Sequence, residues 1–208
     1  MAQVPSYPQT IFFYCFVPAL EGGQTPLVLS SRVCNRLSNE CPEFIEKLDS
    51  LGVIYKRILP DYDDPSSAIG RSWRSTFNTE VKEEAKNKAK EIGVELEFLD
   101  NGDCVSISSV TKAIRNHPTT GERVFFNSVV AAYVGWRDSR NDPVEAVRFG
   151  DGSMMNPDQI EIAKKILDEE CCDLMWNKGD VAWVDNNAVL HARRSFKGER
   201  RIMAALFR

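Results

Sequence analysis

Gly179-Asp180-Val181-Ala182-Trp183-Val184-Asp185-Asn186-Asn187-Ala188-Val189-Leu190-His191-Ala192-Arg193-Arg194, followed by Arg200-Arg201-Ile202-Met203, is the stretch that decides how this chain reads. It sets one histidine at the end of a strand and a pair of arginines one strand later, the arrangement of a metal ligand beside a carboxylate anchor. A 2-His-1-carboxylate face binds Fe(II) and leaves open positions opposite, so a full set needs a second histidine and an Asp or Glu. The chain holds only His117 and His191, and no His-x-Asp or His-x-Glu occurs in it.

Working outward, 208 residues with 43% hydrophobic and 27% charged content suffice for a core, and one domain over residues 1–208 is expected. A net charge of −4 argues against an electrostatic nucleic-acid surface and favours a small-molecule substrate. Six cysteines without a CxxC pair read as buried, reduced thiols of a cytoplasmic protein. No basic region followed by an apolar run opens the chain, and no apolar run reaches membrane-spanning length.

Thr10-Ile11-Phe12-Phe13-Tyr14-Cys15-Phe16-Val17 is apolar on both faces and rich in aromatics, which predicts a buried central strand. Glu21-Gly22-Gly23-Gln24 predicts a turn and residues 25–30 a second strand, with helices over 31–37 and 42–50 and a strand over 53–59. A charged helix over 79–92 carries a thin stripe of Ala85, Ala89 and Ile92. Short strands follow at 94–98, 105–110, 112–115 and 123–127, then a helix over 157–171 and strands at 181–185 and 201–207. Many short strands with inserted helices and no βαβ rhythm predict an antiparallel barrel or sandwich.

Four segments, in this order along the chain, resemble the TauD/TfdA-type Fe(II)/2-oxoglutarate dioxygenases, in particular their clavaminate-synthase-like branch: Gly22-Gly23-Gln24-Thr25; Ala113 to Arg123, which contains His117-Pro118-Thr119-Thr120-Gly121; Gly179-Asp180 through Asp185-Asn186 to His191; and Arg200-Arg201-Ile202-Met203. The resemblance implies a mainly β fold with inserted helices, a double-stranded β-helix. It implies Fe(II) and the co-substrate 2-oxoglutarate, with O₂ and a small-molecule substrate as partners.

By the same resemblance His191 is the distal iron ligand, and Arg201 and Thr25 hold the far carboxylate of 2-oxoglutarate. Bidentate guanidinium pairing suits that role. Arg200 is then expected on the opposite, solvated face of its strand. His117 belongs to a structural turn between strands. Asn127 and Arg193 are the positions expected to meet substrate, against the plainer readings of core packing by the neighbouring Phe125 and Phe126 and of Arg193-Arg194 as an exposed basic pair. The family's His-x-Asp/Glu would lie upstream of Met1, making the chain the C-terminal two-thirds of such a domain. A contrasting reading is a degenerate, non-catalytic paralogue that keeps the barrel as a binding module.

Overall fold

In the computed structural model, which describes residues 7–207, Thr10–Val17 forms strand β1. Next come β2 (Glu21–Gly22), β3 (Thr25–Leu29), helices α1 (Ser30–Glu40) and α2 (Pro42–Leu51), and β4 (Val53–Leu59). The middle of the chain holds α3 (Trp73–Phe77), α4 (Lys82–Glu91), β5 (Val94–Phe98), β6 (Cys104–Ser108), β7 (Ile114–Asn116), β8 (Arg123–Phe125), α5 (Val129–Gly135) and β9 (Val147–Phe149). The last part runs α6 (Pro157–Glu170), β10 (Cys172–Leu174), β11 (Val181–Asp185), β12 (Val189–His191), β13 (Phe196–Lys197) and β14 (Arg201–Phe207).

The described residues divide into two compact units. One comprises Glu46–Ala113 and Asn127–Ile160 and carries the antiparallel sheet β5–β6–β4–β9. Its helix α4 presents Ala85 and Ala89 to a core of Leu59, Trp73, Phe77 and Cys104, against which Val94, Leu96 and Phe98 pack. The expected helix over 79–92 begins only at Lys82, because the Thr79 hydroxyl accepts from the Val81 N–H and holds that segment in a turn. The indole N–H of Trp73 donates to both Asp61 Oδ1 and the Gly102 carbonyl, at 3.1 Å each, so this large buried side chain leaves no polar atom stranded.

The other unit, Tyr7–Ile45, Ile114–Phe126 and Glu161–Arg208, holds two three-stranded antiparallel sheets, β11–β1–β14 and β10–β3–β12, and the small pairs β13–β2 and β7–β8. Helix α1 buries Val33, Cys34 and Leu37 and lies against β8. Strand β1 is central by pairing, yet only Ile11 and Cys15 on it are buried, while Tyr14 and Phe16 are exposed; the two-faced burial expected from its sequence is not found. Its neighbour β11 likewise leaves Trp183 exposed, with the ring stacked on Phe12 at 5.9 Å. The Glu21-Gly22 turn pairs briefly with Phe196-Lys197, because a two-residue strand is set by its partner and carries no periodicity of its own.

The register of β1 on β14 slips between Cys15 and Val17, so Cys15 faces Ile202 while Val17 faces Arg201. The extra residue, Phe16, is a β-bulge, which re-aims the side chains around it. Because β14 starts at Arg201, Arg200 lies outside the strand and its direction is not dictated by strand alternation.

Candidate active site

The site is built in the unit that contains β3 and β12. Those strands pair antiparallel with His191 opposite Leu27, and the pairing continues as the Ala192 N–H donates to the Pro26 carbonyl and the Arg194 N–H to Gln24. On β3, Thr25 is 4% exposed and its hydroxyl oxygen has two donors: the Trp176 indole N–H at 3.0 Å and Arg200 Nη2 at 3.4 Å. Arg200 also donates from Nε to the Gly23 carbonyl at 2.9 Å. Burial pushes the Arg200 guanidinium below its ordinary range, and the nearby Arg193 charge adds to the shift.

The Gly22-Gly23 turn explains how Arg200 gets so close. Gly23 has a φ of +73°, and a Cβ there would meet the Ala19 Cβ at 2.8 Å and Arg200 Cδ at 3.0 Å. Only glycine combines this backbone conformation with room for the guanidinium stem. At Gly22 a Cβ would stand 2.3 Å from the Ser195 carbonyl oxygen, so the β2–β13 pairing excludes a side chain there as well.

Arg201, expected beside Thr25, is exposed and its guanidinium stacks over the Phe16 ring at 5.0 Å. Arg200, expected in solvent, is the half-buried partner of Thr25. The bulge at Phe16 and the start of β14 at Arg201 account for the exchange.

His191 is half-buried, its ring edge-on to Phe13 at 5.3 Å. Burial depresses its pKa and favours the neutral imidazole. Its Nδ1 is buried with no hydrogen-bond partner, which is the state of a ring nitrogen awaiting a metal or a proton acceptor. The donor chemistry therefore fits one Fe(II) ligand. Among the described residues no group of three His, Cys, Asp or Glu side chains gathers to complete a triad, and the His-x-Asp/Glu expected before Met1 lies outside them.

His117 has both ring nitrogens engaged. Nδ1 accepts from the Thr119 and Thr120 N–H groups at 3.2 and 3.1 Å, which puts the hydrogen on Nε2, 3.0 Å from Asp185 Oδ2. Asp185 also accepts from the Asn187 N–H at 2.9 Å, and Asn186 Nδ2 donates to the Pro8 carbonyl at 2.7 Å. The His-Pro-Thr-Thr-Gly turn and the Asp-Asn turn, 68 residues apart, are thus one polar cluster that fixes the chain just before β12. Burial works to raise the Asp185 carboxyl, but hydrogen bonds from Asn187 and His117 outweigh it and hold the group below its ordinary value.

Asn127 lies in the other unit, where its amide closes its own turn: Nδ2 donates to the Ala113 carbonyl at 3.1 Å and Oδ1 accepts from the Val129 N–H at 3.0 Å. Arg193 is exposed, with its guanidinium 5.3 Å over Phe196, the ring that Arg200 approaches at 5.8 Å. Its neighbour Arg194 is tied to Asp173 at 3.0 Å. Of the cysteines, Cys15, Cys34, Cys41 and Cys104 are buried, whereas Cys171 is half-buried and Cys172 exposed, so the expectation of six buried thiols holds for four of them. Among the described residues no helix is long and apolar enough to cross a membrane.

Sequence reasoning missed Trp176. Its partner Thr25 is 151 residues away, and no local pattern joins them.

The taurine catabolism dioxygenase TauD, TfdA family model matches residues 1–206. The chain belongs to the TauD/TfdA family. This TauD/TfdA chain is 45% identical over 206 residues to a clavaminate synthase-like protein of Arabidopsis thaliana, and 28% identical over 212 residues to the dapdiamide synthesis protein DdaC of Enterobacter agglomerans. Those alignments cover 99% and 96% of the chain but only 62% and 61% of the relatives' own length.

Among solved structures, the chain resembles a Burkholderia xenovorans protein described as a putative alpha-ketoglutarate dependent 2,4-D dioxygenase, at a TM-score of 0.51 and 17% identity, over 98% of this chain and 63% of that one. It also resembles AAD-2 in complex with Mn(II) and N-oxalylglycine at a TM-score of 0.50 and 12% identity, over 99% of this chain and 64% of that one. The fold is that of the TauD-type dioxygenases, a double-stranded β-helix, mostly strands with some helices.

Proposed function

We propose that this TauD/TfdA chain works in an Fe(II)- and 2-oxoglutarate-dependent oxygenase, with residues 1–208 as part of a single such domain. In this reading Thr25 and Arg200 anchor the distal carboxylate of 2-oxoglutarate, and His191 is one iron ligand. The observation that carries it is the donor set at Thr25. Its buried hydroxyl accepts from Trp176 and Arg200, leaving its own hydrogen without an acceptor among the described residues, beside a guanidinium that makes no ion pair among them. Converging donors in a water-poor position call for an anion.

Iron, when bound, supplies the activation of O₂ that couples decarboxylation of 2-oxoglutarate to succinate and CO₂ with oxidation of a small-molecule substrate. The residues of the chain do the positioning. Arg200 presents its remaining N–H groups to the far carboxylate, and Gly23 keeps the arginine stem in place through its carbonyl. The neutral His191 imidazole offers an unprotonated nitrogen, and Phe13 limits its rotation. Arg193, across Phe196 from Arg200, is the side chain offered to an anionic substrate. Two donors in addition to His191 are needed for the facial triad.

The reading is tested by titrating Mn(II), as a stand-in for Fe(II), and 2-oxoglutarate separately onto the protein. His191→Ala should weaken Mn(II) binding and leave the 2-oxoacid's carboxylate contact in place, whereas Thr25→Val should do the reverse. Equal effects of both substitutions on both ligands would overturn the division of roles. Binding of 2-oxoglutarate with no Fe(II)-dependent succinate formation would favour the non-enzymatic barrel.

A further inference from the structure

The geometry points to Trp176 as a positioning residue of the anion site: its indole N–H locks the Thr25 hydroxyl so that the hydroxyl hydrogen is aimed at the bound carboxylate. The inference rests on the reading of Thr25 and Arg200 as the 2-oxoglutarate anchor. A threonine hydroxyl is one donor with two acceptor lone pairs, and its hydrogen rotates to suit its surroundings. An indole N–H can only donate, and a guanidinium can only donate. With Trp176 Nε1 at 3.0 Å and Arg200 Nη2 at 3.4 Å, both lone pairs of Thr25 Oγ1 are taken. The rotor is then left with one way to be satisfied, which is to donate. Since Thr25 is 4% exposed, water is a poor candidate to receive that hydrogen.

The placement of Trp176 follows from the chain around it. Leu174, two residues earlier, pairs with Thr25 across β10 and β3, which brings the indole alongside the threonine. Immediately after it, Asp180 Oδ2 accepts from the Asn177 N–H at 2.7 Å and the Asp180 N–H donates to the Asn177 carbonyl at 3.1 Å, closing a tight turn. That turn is fastened to β1 on both sides, as the Gly179 N–H donates to the Cys15 carbonyl at 2.8 Å and the Cys15 N–H to the Asp180 carbonyl at 2.9 Å. The indole is therefore held at its base and needs no ligand to hold it.

The consequence is chemical selectivity. A hydroxyl whose acceptor sites are filled cannot serve an ammonium or amide N–H, so the site admits acceptors only. Carboxylates satisfy it, and the flanking guanidinium supplies the charge. Without the indole, the hydroxyl would be free to turn its hydrogen elsewhere and accept in place of donating.

Two measurements test this. The first needs no ligand: the indole Nε1–H resonance of Trp176, assigned by its disappearance in Trp176→Phe, should be protected from exchange and should shift in Thr25→Val. A rapidly exchanging indole proton indifferent to Thr25→Val would overturn the proposal. The second is a double-mutant cycle read by the affinity for 2-oxoglutarate and for glutarate, which has the two carboxylates but no keto group. Trp176→Phe keeps the ring and should weaken both anions about three- to tenfold when Thr25 is present, the worth of one well-placed neutral hydrogen bond. In the Thr25→Val background the same change should be nearly silent.

An equal loss in both backgrounds would show that Trp176 acts only through packing, and no loss in either would show that the indole does not orient the hydroxyl; each overturns the proposal. Failure of the unsubstituted protein to bind either anion while the indole signature is intact would instead overturn the carboxylate anchor itself, and this role with it.

Discussion

Arg200 reaches Thr25 through a glycine: its Nη2 stands 3.4 Å from Thr25 Oγ1 only because its Nε can donate to the Gly23 carbonyl at 2.9 Å with no side chain between. The Gly-Gly turn and the arginine are parts of one device. A methyl group at Gly23 would crowd Arg200 Cδ and Nε at 3.0 and 3.1 Å.

Gly23→Ala is therefore expected to lower the affinity for 2-oxoglutarate by about tenfold or more, since the charge-assisted contact it displaces is of order 1.5–3 kcal/mol. The left-handed backbone adds roughly 1–2 kcal/mol of destabilisation. Affinity by calorimetry and stability by denaturant titration separate the two effects. An unchanged affinity would mean that Arg200 does not depend on this turn.

His117→Ala removes a buried ring that joins three partners, leaving the Thr119 and Thr120 N–H groups and Asp185 without it. A loss of about 2–4 kcal/mol in unfolding free energy is expected, from the cost of unsatisfied polar groups and the vacated volume. Mn(II) affinity should change little. The opposite pattern, intact stability with lost metal binding, would make His117 a ligand and not a strut.

Acid should destabilise the fold through two carboxyls. Hydrogen bonds from Arg140 and Ser66 hold Asp64 down at about 2, and Asp185 also titrates below its ordinary value, hydrogen bonds from Asn187 and His117 outweighing its burial. Both pKa values are depressed by folding, so their stabilisation is complete above the unfolded value of about 4 and is lost as pH falls through the folded values. Urea midpoints measured at pH 7 and pH 3 should fall toward the lower pH, and Asp185→Asn should narrow the difference. Equal midpoints for the unsubstituted protein would contradict the cluster's role.

The long elements were legible in the sequence for a physical reason. Strands such as Val53–Leu59, Val94–Phe98 and Val181–Asp185 are runs of β-branched and apolar residues bounded by turn formers, and the structure places them at those residues. The two- and three-residue strands at Glu21, Cys172 and Phe196 exist through their partners and leave no period to read. Helix α3 is only five residues long, begun by Ser72 accepting from the Ser75 N–H, too short for an amphipathic pattern. At the candidate site, the Gly22-Gly23 turn could be read from the sequence. Which of Arg200 and Arg201 touches Thr25 could not, because that depends on a bulge at Phe16 in a different strand, and the Trp176–Thr25 contact was hidden because it joins distant segments.

The most direct test of the account is the affinity for 2-oxoglutarate of Arg200→Ala beside that of Arg201→Ala, each checked for folding. Truncating one side of a desolvated charged pair costs of order 2–5 kcal/mol, and exposed charges cost far less. Arg200→Ala should therefore abolish measurable binding, while Arg201→Ala, which removes a guanidinium stacked on Phe16 at the surface, should leave the affinity within about threefold of the original. Loss of binding on Arg201→Ala with retention on Arg200→Ala would contradict the anchor described here.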